Sequence, residues 1–296
     1  MEHIVIGIKE NFKTHAYIML YSLLKNNMQR KFFIHILSDN LNISYFKPLE
    51  KLFECRIELY LIDISDIKNL NFRHIDVSTF YRLKIDQYLP QNLDKVLYLD
   101  TDIIVSESID ELLDINFSYN ELAAVVECKI STSHLEKIGF KNEKYFNAGM
   151  IYFNYKRCIE EDVFKKALKL IIKDNDKYNF MDQDVLNKVL KGKLRYISPK
   201  WNYGSFFSTS ELLGYKEIKG NPVIIHYTGV LKPWNYLNTN KYGYLYFKYY
   251  REIFSENVKI EDKTLFKIIK KYFILFIFKF YFTRKIIIFL RKKYRK

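Results

Sequence analysis

The sequence contains few of the residues that mark disulfide-rich, collagen-like or disordered chains. Its three cysteines, Cys55, Cys128 and Cys158, are far apart and form no Cys-x-x-Cys or Cys/His cluster. This argues against a disulfide scaffold or a zinc ribbon and favours a reducing compartment. Nine glycines and five prolines among 296 residues, with 49% hydrophobic residues, exclude a collagen-like or disordered chain. The N-terminal residues lack a basic region and a long apolar run, which predicts a first strand rather than a secretory signal, and a cytoplasmic protein.

Acidic residues are absent from residues 263–296, and this makes the charge of the chain uneven. That segment has twelve Lys and Arg residues, whereas residues 1–262 have 36 basic and 34 acidic residues. The net charge of +14 therefore belongs mainly to the tail. The nearly neutral body argues against nucleic acid as a partner.

Short apolar runs alternate with amphipathic stretches through the first 130 residues, a pattern typical of an α/β fold with a parallel sheet flanked by helices. Predicted strands cover residues 3–8, 32–37, 57–62, 95–99 and 122–126, and predicted helices cover residues 13–26, 42–54, 160–173 and 182–191. Beyond residue 140 the pattern loosens, which indicates loops around a site rather than a second nucleotide-binding fold. We expect one domain over residues 1–250 and a tail over residues 251–296.

Two carboxylates, Asp100 and Asp102, follow an apolar run that is typical of a buried strand. In open α/β sheets, ligands bind at the carboxyl ends of strands. Carboxylates two residues apart can share a hard divalent cation, which is the usual partner of a substrate diphosphate. Solvated aspartates at a strand end are the alternative.

A second candidate segment contains His226, Gly229 and Lys232. A neutral imidazole is a good ligand for Mn²⁺-like ions, Gly229 permits close approach of the backbone to a phosphate, and Lys232 supplies a positive charge for a departing diphosphate. A structural histidine is the alternative for His226.

Asn147, Asp182 and Gln183 form a third candidate group. Their side chains can hydrogen-bond hydroxyl groups in complementary directions, as sugar recognition requires. The alternatives are a turn at Asn147 and a helix N-cap at Asp182.

Five sequence blocks in this order resemble glycosyltransferase family 8, the retaining enzymes that include bacterial lipopolysaccharide galactosyl- and glucosyltransferases. The blocks are Tyr81-Arg82-Leu83, Val96 to Asp102, Phe146-Asn147-Ala148-Gly149, Asp182 to Asn187, and His226 to Trp234. The resemblance implies a GT-A type fold, with a Rossmann-like mixed sheet flanked by helices. It also implies transfer of galactose or glucose from a UDP-sugar to a glycan acceptor, such as a lipopolysaccharide, with retention at the anomeric carbon.

The resemblance further implies roles for individual residues. Asp100, Asp102 and His226 would bind Mn²⁺ or Mg²⁺, and Arg82, Asp182 and Gln183 would act in catalysis. The residues implied to contact the UDP-sugar are Gly7, Asn11, Phe12, Arg82, Asp100, Thr101, Asp102, Asn147, Ala148, Gly149, Asp182, Gln183, His226, Gly229 and Lys232. Because a glutamine amide is a poor nucleophile, we favour a front-face route over double displacement.

Some positions depart from the family pattern. Lys9 and Glu10 stand where relatives commonly carry an acidic residue near the nucleobase, which leaves the nucleobase contact open. Glu127 stands where relatives often have Asp, and it would serve the acceptor side or be a surface acid. His74 resembles a position near the acceptor, with an exposed loop histidine as the alternative.

The tail over residues 263–296 alternates cationic residues with aromatic or aliphatic ones. Its most apolar piece, residues 272–282, would reach only about 16 Å as a helix, about half the thickness of a hydrocarbon core. Its lysines cluster on one side of a helical projection, which predicts a helix in the anionic interface of the inner face of the cell membrane. Packing of the apolar face on the body is the alternative. A transferase held there would meet a lipid-linked acceptor.

Two other classes of function stay open from the residues alone. A phosphohydrolase would use Asp100 as nucleophile and Asp102 as acid/base, although the strand before them comes fourth here rather than first. A non-catalytic glycan-binding protein would share the transferase fold, although Asp100, Asp102, His226 and Lys232 are all present. The sequence leaves open the choice between galactose and glucose, the acceptor and the oligomeric state.

Overall fold

The computed structural model describes residues 1–68, 70, 76–141, 143–204, 221–238, 240–256, 260 and 262–279. Its strands are β1 (Glu2–Gly7), β2 (Phe32–Ser38), β3 (Cys55–Leu61), β4 (Val96–Leu99), β5 (Ile103–Val105), β6 (Ala123–Glu127), β7 (Phe146–Phe153), β8 (Leu194–Tyr196) and β9 (Ile224–His226). Its α-helices are α1 (Lys13–Lys25), α2 (Lys47–Leu52), α3 (Ile85–Tyr88), α4 (Asp110–Leu113), α5 (Thr132–Lys137), α6 (Tyr155–Glu160), α7 (Val163–Lys173), α8 (Met181–Val189), α9 (Gly243–Phe254) and α10 (Leu265–Lys279). Short 3-10 helices cover Glu10–Phe12, Ile43–Tyr45, Val77–Lys84, Asn175–Lys177 and Pro199–Trp201.

Seven strands form one mixed sheet in the order β3-β2-β1-β4-β7-β6-β8. Strands β1 to β4 pair with one another in parallel: β1 with β2, β1 with β4, and β2 with β3. The alternation of apolar and amphipathic runs predicts this arrangement. β7 lies antiparallel to both β4 and β6, and this makes the sheet mixed. A second sheet of two strands pairs β5 with β9 in antiparallel register.

The large sheet is packed on both faces, as the continuous apolar character of its strands predicts. The four residues of β4 are all buried. Val96 and Tyr98 belong to the apolar cluster on one face, with residues of α7 and α8, because side chains alternate along a strand. Leu97 and Leu99 belong to the cluster on the other face, with residues of α1.

Two predicted helices differ from the observed ones. The segment predicted as a helix over residues 42–54 is divided into a 3-10 turn, Ile43–Tyr45, and the short helix α2, whose first turn contains a proline. The helix predicted over residues 160–173 begins at Val163, because Asp162 adopts a positive φ of 51° that separates α7 from α6. Local backbone conformation, not apolar periodicity, sets these boundaries.

The topology brings three chain segments to one edge of the large sheet. Asp100 follows β4 directly, and its backbone N–H donates to the carbonyl of Gly149 in β7 at 2.8 Å. β5 then leaves the large sheet and pairs with β9, in a register that places Ile103 opposite His226. The strand pairing therefore sets His226 beside the residues that precede Ile103.

Candidate functional site

A cavity of ≈ 960 Å³ opens at this edge of the large sheet, where β1 and β4 end. Eleven of the residues predicted to contact a ligand line it: Gly7, Phe12, Arg82, Asp100, Thr101, Asp102, Asn147, Gln183, His226, Gly229 and Lys232. The sequence blocks thus meet in one place, although they are separated along the chain. Asp182 and Ala148 are buried behind the wall of the cavity, and Asn11 is exposed.

Asp100, Asp102 and His226 offer ligand atoms that all lie within 4.8 Å of one another. His226 Nε2 is 3.2 Å from Asp102 Oδ1 and 3.7 Å from Asp100 Oδ2. Among the described residues, these three are the Asp, Glu, His or Cys side chains that lie close enough together to hold a metal ion. Two carboxylate oxygens and one imidazole nitrogen form a donor set suited to a divalent cation such as Mn²⁺.

The hydrogen bonds around His226 favour the tautomer that a metal ligand needs. Asn202 donates through Nδ2 to Asn147 Oδ1 at 3.0 Å, so its Oδ1 faces His226. That oxygen lies 2.9 Å from His226 Nδ1 and accepts its proton. When Nε2 is unprotonated it faces two carboxylate oxygens, and a bound cation between these three atoms then supplies the positive charge that a protonated imidazole would otherwise provide. The residues present therefore fit the cation that the family resemblance implies.

Gly149 makes room for this group. A Cβ atom at Gly149 would lie 2.0 Å from His226 Cε1 and 2.8 Å from Asp100 Oδ2. The lack of a side chain at Gly149 therefore lets the histidine approach Asp100. The contact with the UDP-sugar that the resemblance implies for this glycine stays a prediction.

Two cations hold the outer oxygens of the aspartates. Arg82 Nη2 lies 2.7 Å from Asp100 Oδ1, and Lys232 Nζ forms an ion pair with Asp102 Oδ2. Burial by itself raises the pKa of Asp102, but His226 and Lys232 outweigh burial and hold that pKa well below its usual range. Asp102 therefore stays ionised, as a metal ligand must.

Asp182 is not a helix cap. α8 begins at Met181 with Phe180 as the preceding residue, and the Asp182 carboxylate is instead buried against Arg82, whose Nε lies 2.9 Å from Oδ2. Burial raises the pKa of Asp182 to about 6, with the charge of Asp100 adding to the rise and that of Arg82 opposing it. The tertiary ion pair replaces the local capping interaction that the sequence position allows.

Asn147 and Gln183 contact each other beside the metal group. Gln183 Oε1 accepts hydrogen bonds of 3.0 Å from Asn147 Nδ2 and from the backbone N–H of Ala148. Both side chains also line a second, smaller cavity of ≈ 250 Å³, which includes Glu127. This exposed glutamate lies 3.5 Å from Lys144 in an ion pair. His74 lies outside the described residues.

The sequence analysis assigns no role to several residues of the site, although one of them, Tyr98, lies within a family block. Asn202 comes after the short 3-10 helix Pro199–Trp201 and belongs to none of the five blocks. Tyr98 donates to Asp100 Oδ1 at 2.9 Å from inside an apolar strand. Asp76 lines the large cavity and pairs with Lys9 at 3.5 Å. Only the folded chain brings these residues to the site.

Comparisons with known proteins agree with this geometry. The model of the family described as "Glycosyl transferase family 8" matches residues 3–238. A lipopolysaccharide 1,2-glucosyltransferase of Escherichia coli is 31% identical over 258 residues, covering 81% of this chain and 76% of the relative. A lipopolysaccharide 1,3-galactosyltransferase of Salmonella typhimurium is 33% identical over 247 residues, covering 79% of this chain and 73% of the relative.

A solved structure is similar in fold. The galactosyltransferase LgtC, in complex with donor and acceptor sugar analogs, superposes with a TM-score of 0.74 at 22% sequence identity. The match covers 84% of this chain and 95% of that one. The similarity confirms the GT-A type fold predicted from the sequence.

Proposed function

The chain belongs to glycosyltransferase family 8, and on that premise we propose that it transfers galactose or glucose from a UDP-sugar to a glycan acceptor with retention at the anomeric carbon. Family membership confirms the glycosyltransferase predicted from the five sequence blocks. The lipopolysaccharide glucosyl- and galactosyltransferases among the relatives support a hexose as the transferred group and a lipopolysaccharide or similar surface glycan as the acceptor.

The convergence of Asp100, Asp102 and His226 at the wall of the large cavity carries this proposal. We assign the three side chains to a divalent cation, Mn²⁺ or Mg²⁺, which when bound offsets the charge of the donor diphosphate. Lys232 lines the same cavity and supplies a positive charge for the departing diphosphate. Gly229, with a positive φ of 87°, leaves the backbone open to a phosphate oxygen.

The surroundings of Asp182 and Gln183 favour a front-face route. Asp182 is 4% exposed and its Oδ2 is paired with Arg82, so an attack on a sugar would require it to leave a buried ion pair. The Gln183 carbonyl oxygen already accepts two hydrogen bonds and belongs to a weak nucleophile. In the front-face route the acceptor hydroxyl attacks from the side on which UDP leaves, and a diphosphate oxygen takes its proton.

Release of UDP from a panel of UDP-hexoses tests the proposal. We expect turnover of one donor with Mn²⁺, its loss with a chelator, and a fall of at least about 100-fold in Asp102→Asn, because that change removes one ligand charge. Asp110→Asn, at a partly exposed position in α4 that pairs with Arg30, is the control and should keep the wild-type rate. Absence of both turnover and UDP binding would favour the non-catalytic binding protein or another nucleotide.

We also propose that residues 251–296 form a tail that holds the body, residues 1–250, on the anionic cytoplasmic face of the membrane, near a lipid-linked acceptor. α10 exposes a set of large apolar side chains that are 62–74% accessible: Leu265, Phe266, Ile269, Tyr272 and Phe273. Basic residues interleave with them, and cations near an anionic leaflet contribute about 1 kcal/mol each. In the part of the chain that the structure describes, no helix has the length and apolarity that a transmembrane span requires.

Sedimentation of the full chain with vesicles tests the tail proposal. We expect binding to vesicles that contain phosphatidylglycerol, weaker binding to neutral vesicles, and reduced binding of Phe266→Ser/Ile269→Ser. The matched control is Ile172→Ser, which changes an exposed apolar residue of α7 in the body. Equal binding of the two variants would contradict the proposal.

A further inference from the structure

A buried chain of hydrogen bonds runs from α5 to the wall of both cavities. His134 Nε2 contacts Asp184 Oδ1 at 2.8 Å, and the Tyr145 hydroxyl donates to the same oxygen at 2.5 Å. Gln183 Nε2 then donates to the Tyr145 oxygen at 3.1 Å. His134, Tyr145 and Asp184 are 6%, 2% and 0% exposed, so water has little access to these bonds.

The direction of each hydrogen bond follows from which groups can donate. The Asp184 carboxylate only accepts, so Tyr145 must give it its single proton, and the Tyr145 oxygen is left to accept from Gln183. At the other end of the amide, the Ala148 N–H can only donate, and it meets Gln183 Oε1. Both ends therefore require the same orientation, with the amide nitrogen toward Tyr145 and the carbonyl oxygen toward Asn147.

The orientation of Gln183 matters because its side chain lines both the large and the small cavity. An amide turned by 180° would exchange an acceptor for a donor on the wall of these cavities. Burial raises the pKa of the Tyr145 hydroxyl, and the charge of Asp184 raises it further, so this group remains a proton donor.

Asp184 also makes a hydrogen bond that does not involve Tyr145. Its Oδ2 accepts from the backbone N–H of Phe180 at 2.9 Å, next to Met181, which has a positive φ of 48°. Substituting Asp184 would therefore disturb the turn that begins α8 as well as the amide. Tyr145 is the better position for a test. Tyr145→Phe removes the hydroxyl that contacts Asp184 and Gln183 but keeps the bond between Asp184 and the Phe180 N–H.

We propose that Tyr145 is a positioning residue for glycosyl transfer: held by Asp184 and His134, its hydroxyl sets the orientation of the Gln183 amide between the two cavities. The inference rests on the proposed function, since it concerns the reaction at the same site. Tyr145 acts through Gln183 and need not touch either substrate.

Tyr145→Phe, compared with Tyr152→Phe, tests the proposal. Both are buried tyrosines, Tyr145 just before β7 and Tyr152 within it, but Tyr152 donates to the backbone carbonyl of Leu113 at 3.0 Å. Tyr145→Phe removes two buried hydrogen bonds, one of them to a carboxylate, and Tyr152→Phe removes one, so Tyr145→Phe should lower stability more. Kinetics are therefore compared at a temperature at which both variants are folded. We expect Tyr145→Phe to lower kcat by about tenfold and to leave the donor KM within about twofold, and Tyr152→Phe to change neither.

A second measurement reports on the amide without relying on turnover. The chain contains four glutamines, so NMR of protein containing isotope-labelled glutamine yields four side-chain amides, and Gln183→Glu assigns the one of interest. We expect its resonances to shift and its hydrogen exchange to speed up in Tyr145→Phe, and to stay unchanged in Tyr152→Phe.

An unchanged kcat, an unchanged Gln183 amide or equal losses of kcat in the two variants would each overturn the proposal. If the wild type turns over no UDP-hexose, the proposed function fails by itself. The Gln183 amide signal then still decides whether Tyr145 orients the side chain.

Discussion

The site contains two neighbouring polar regions that are built in opposite ways. In the metal group, formed by Asp100, Asp102 and His226, lone pairs of two carboxylates and one imidazole face one another. In the amide network, formed by His134, Tyr145, Asp184 and Gln183, each donor faces an acceptor. The first arrangement needs a positive charge between its lone pairs, either a proton on His226 or a bound cation, whereas the second is complete before any ligand binds.

The carboxylates in and beside the two regions also differ in the direction of their pKa shifts. Neighbouring cations hold the pKa of Asp102 low. Burial raises the pKa of Asp182, which precedes Gln183 in α8 and lies beside the amide network, to about 6. Arg82 lies between them, since it pairs with both Asp100 and Asp182 and donates to the carbonyl of Ala148 at 2.5 Å. Ligand capture and preorganisation therefore depend on different side chains, and Arg82 joins them.

Arg82→Met should have the largest effect, because it disturbs both regions at once. It leaves Asp100 and Asp182 without their shared cation, and removal of one partner from a buried ion pair costs about 3–5 kcal/mol. We expect a loss of that size in the free energy of unfolding, measured by urea denaturation, and loss of UDP release.

Arg157→Met is the control for Arg82→Met. Arg157 pairs with Glu160 and Glu161 near the surface, where solvent screens ion pairs and they contribute little to stability. Equal destabilisation by the two substitutions would show that Arg82 does not join two buried regions.

Gly149→Ala would disturb the metal group alone. Its Cβ would meet His226 and Asp100 closer than van der Waals contact, so the histidine must move away from the carboxylates. We expect Mn²⁺ affinity, measured by calorimetry, to fall by about 10–100-fold, in the range seen when metal ligands lose their orientation.

Gly192→Ala is the control for Gly149→Ala. Gly192 has a positive φ of 77° and nothing within 4 Å of the added Cβ, so backbone strain alone should cost about 1–2 kcal/mol and leave Mn²⁺ affinity unchanged. Unchanged affinity in Gly149→Ala would mean that the close approach of His226 is dispensable.

His35 is a buried, hydrogen-bonded histidine that lies outside the site. It lies between His3 and Tyr60, at 3.0 Å from each, with Arg56 also near. Burial lowers the pKa of His35 to about 3, with the charges of His3 and Arg56 adding to the fall. Because the unfolded chain binds a proton near pH 6.5 and the folded chain does not, this histidine makes stability fall as the pH drops below that value.

The expected size of this effect is about 1 kcal/mol between pH 8 and pH 6. Urea denaturation at both pH values gives the change in the free energy of unfolding between pH 8 and pH 6 for the wild type and for His35→Gln. The difference between these two changes is the contribution of His35. An identical pH dependence in the two proteins would contradict the neutral, buried state of His35.

The sequence predicts the metal group well and the amide network poorly. Asp100 and Asp102 follow a strand whose apolar residues are contiguous, so local pattern alone carries them to the edge of the sheet. The position of His226 is predicted through the resemblance to a family, and the pairing of β5 with β9 explains it. Tyr145, Asp184 and Asn202 have no comparable local pattern, because their partners lie far away along the chain.

Asp182 shows why a local rule fails here. Its place at the start of a helical pattern allows an N-cap, but a buried charge requires a partner, and Arg82 supplies one from a distant segment. The cost of burying an unpaired carboxylate exceeds the gain from a capping hydrogen bond, so the tertiary contact decides.

The sequence by itself determined the α/β class, the strand that ends at Asp100 and the uneven distribution of charge, because each depends on residues that are neighbours along the chain. Only the tertiary structure decided which carboxylate oxygens face His226, why Gly149 must lack a side chain and how Gln183 is oriented. These features depend on distances and hydrogen-bond directions between strands and helices, which exist only once the sheet has assembled.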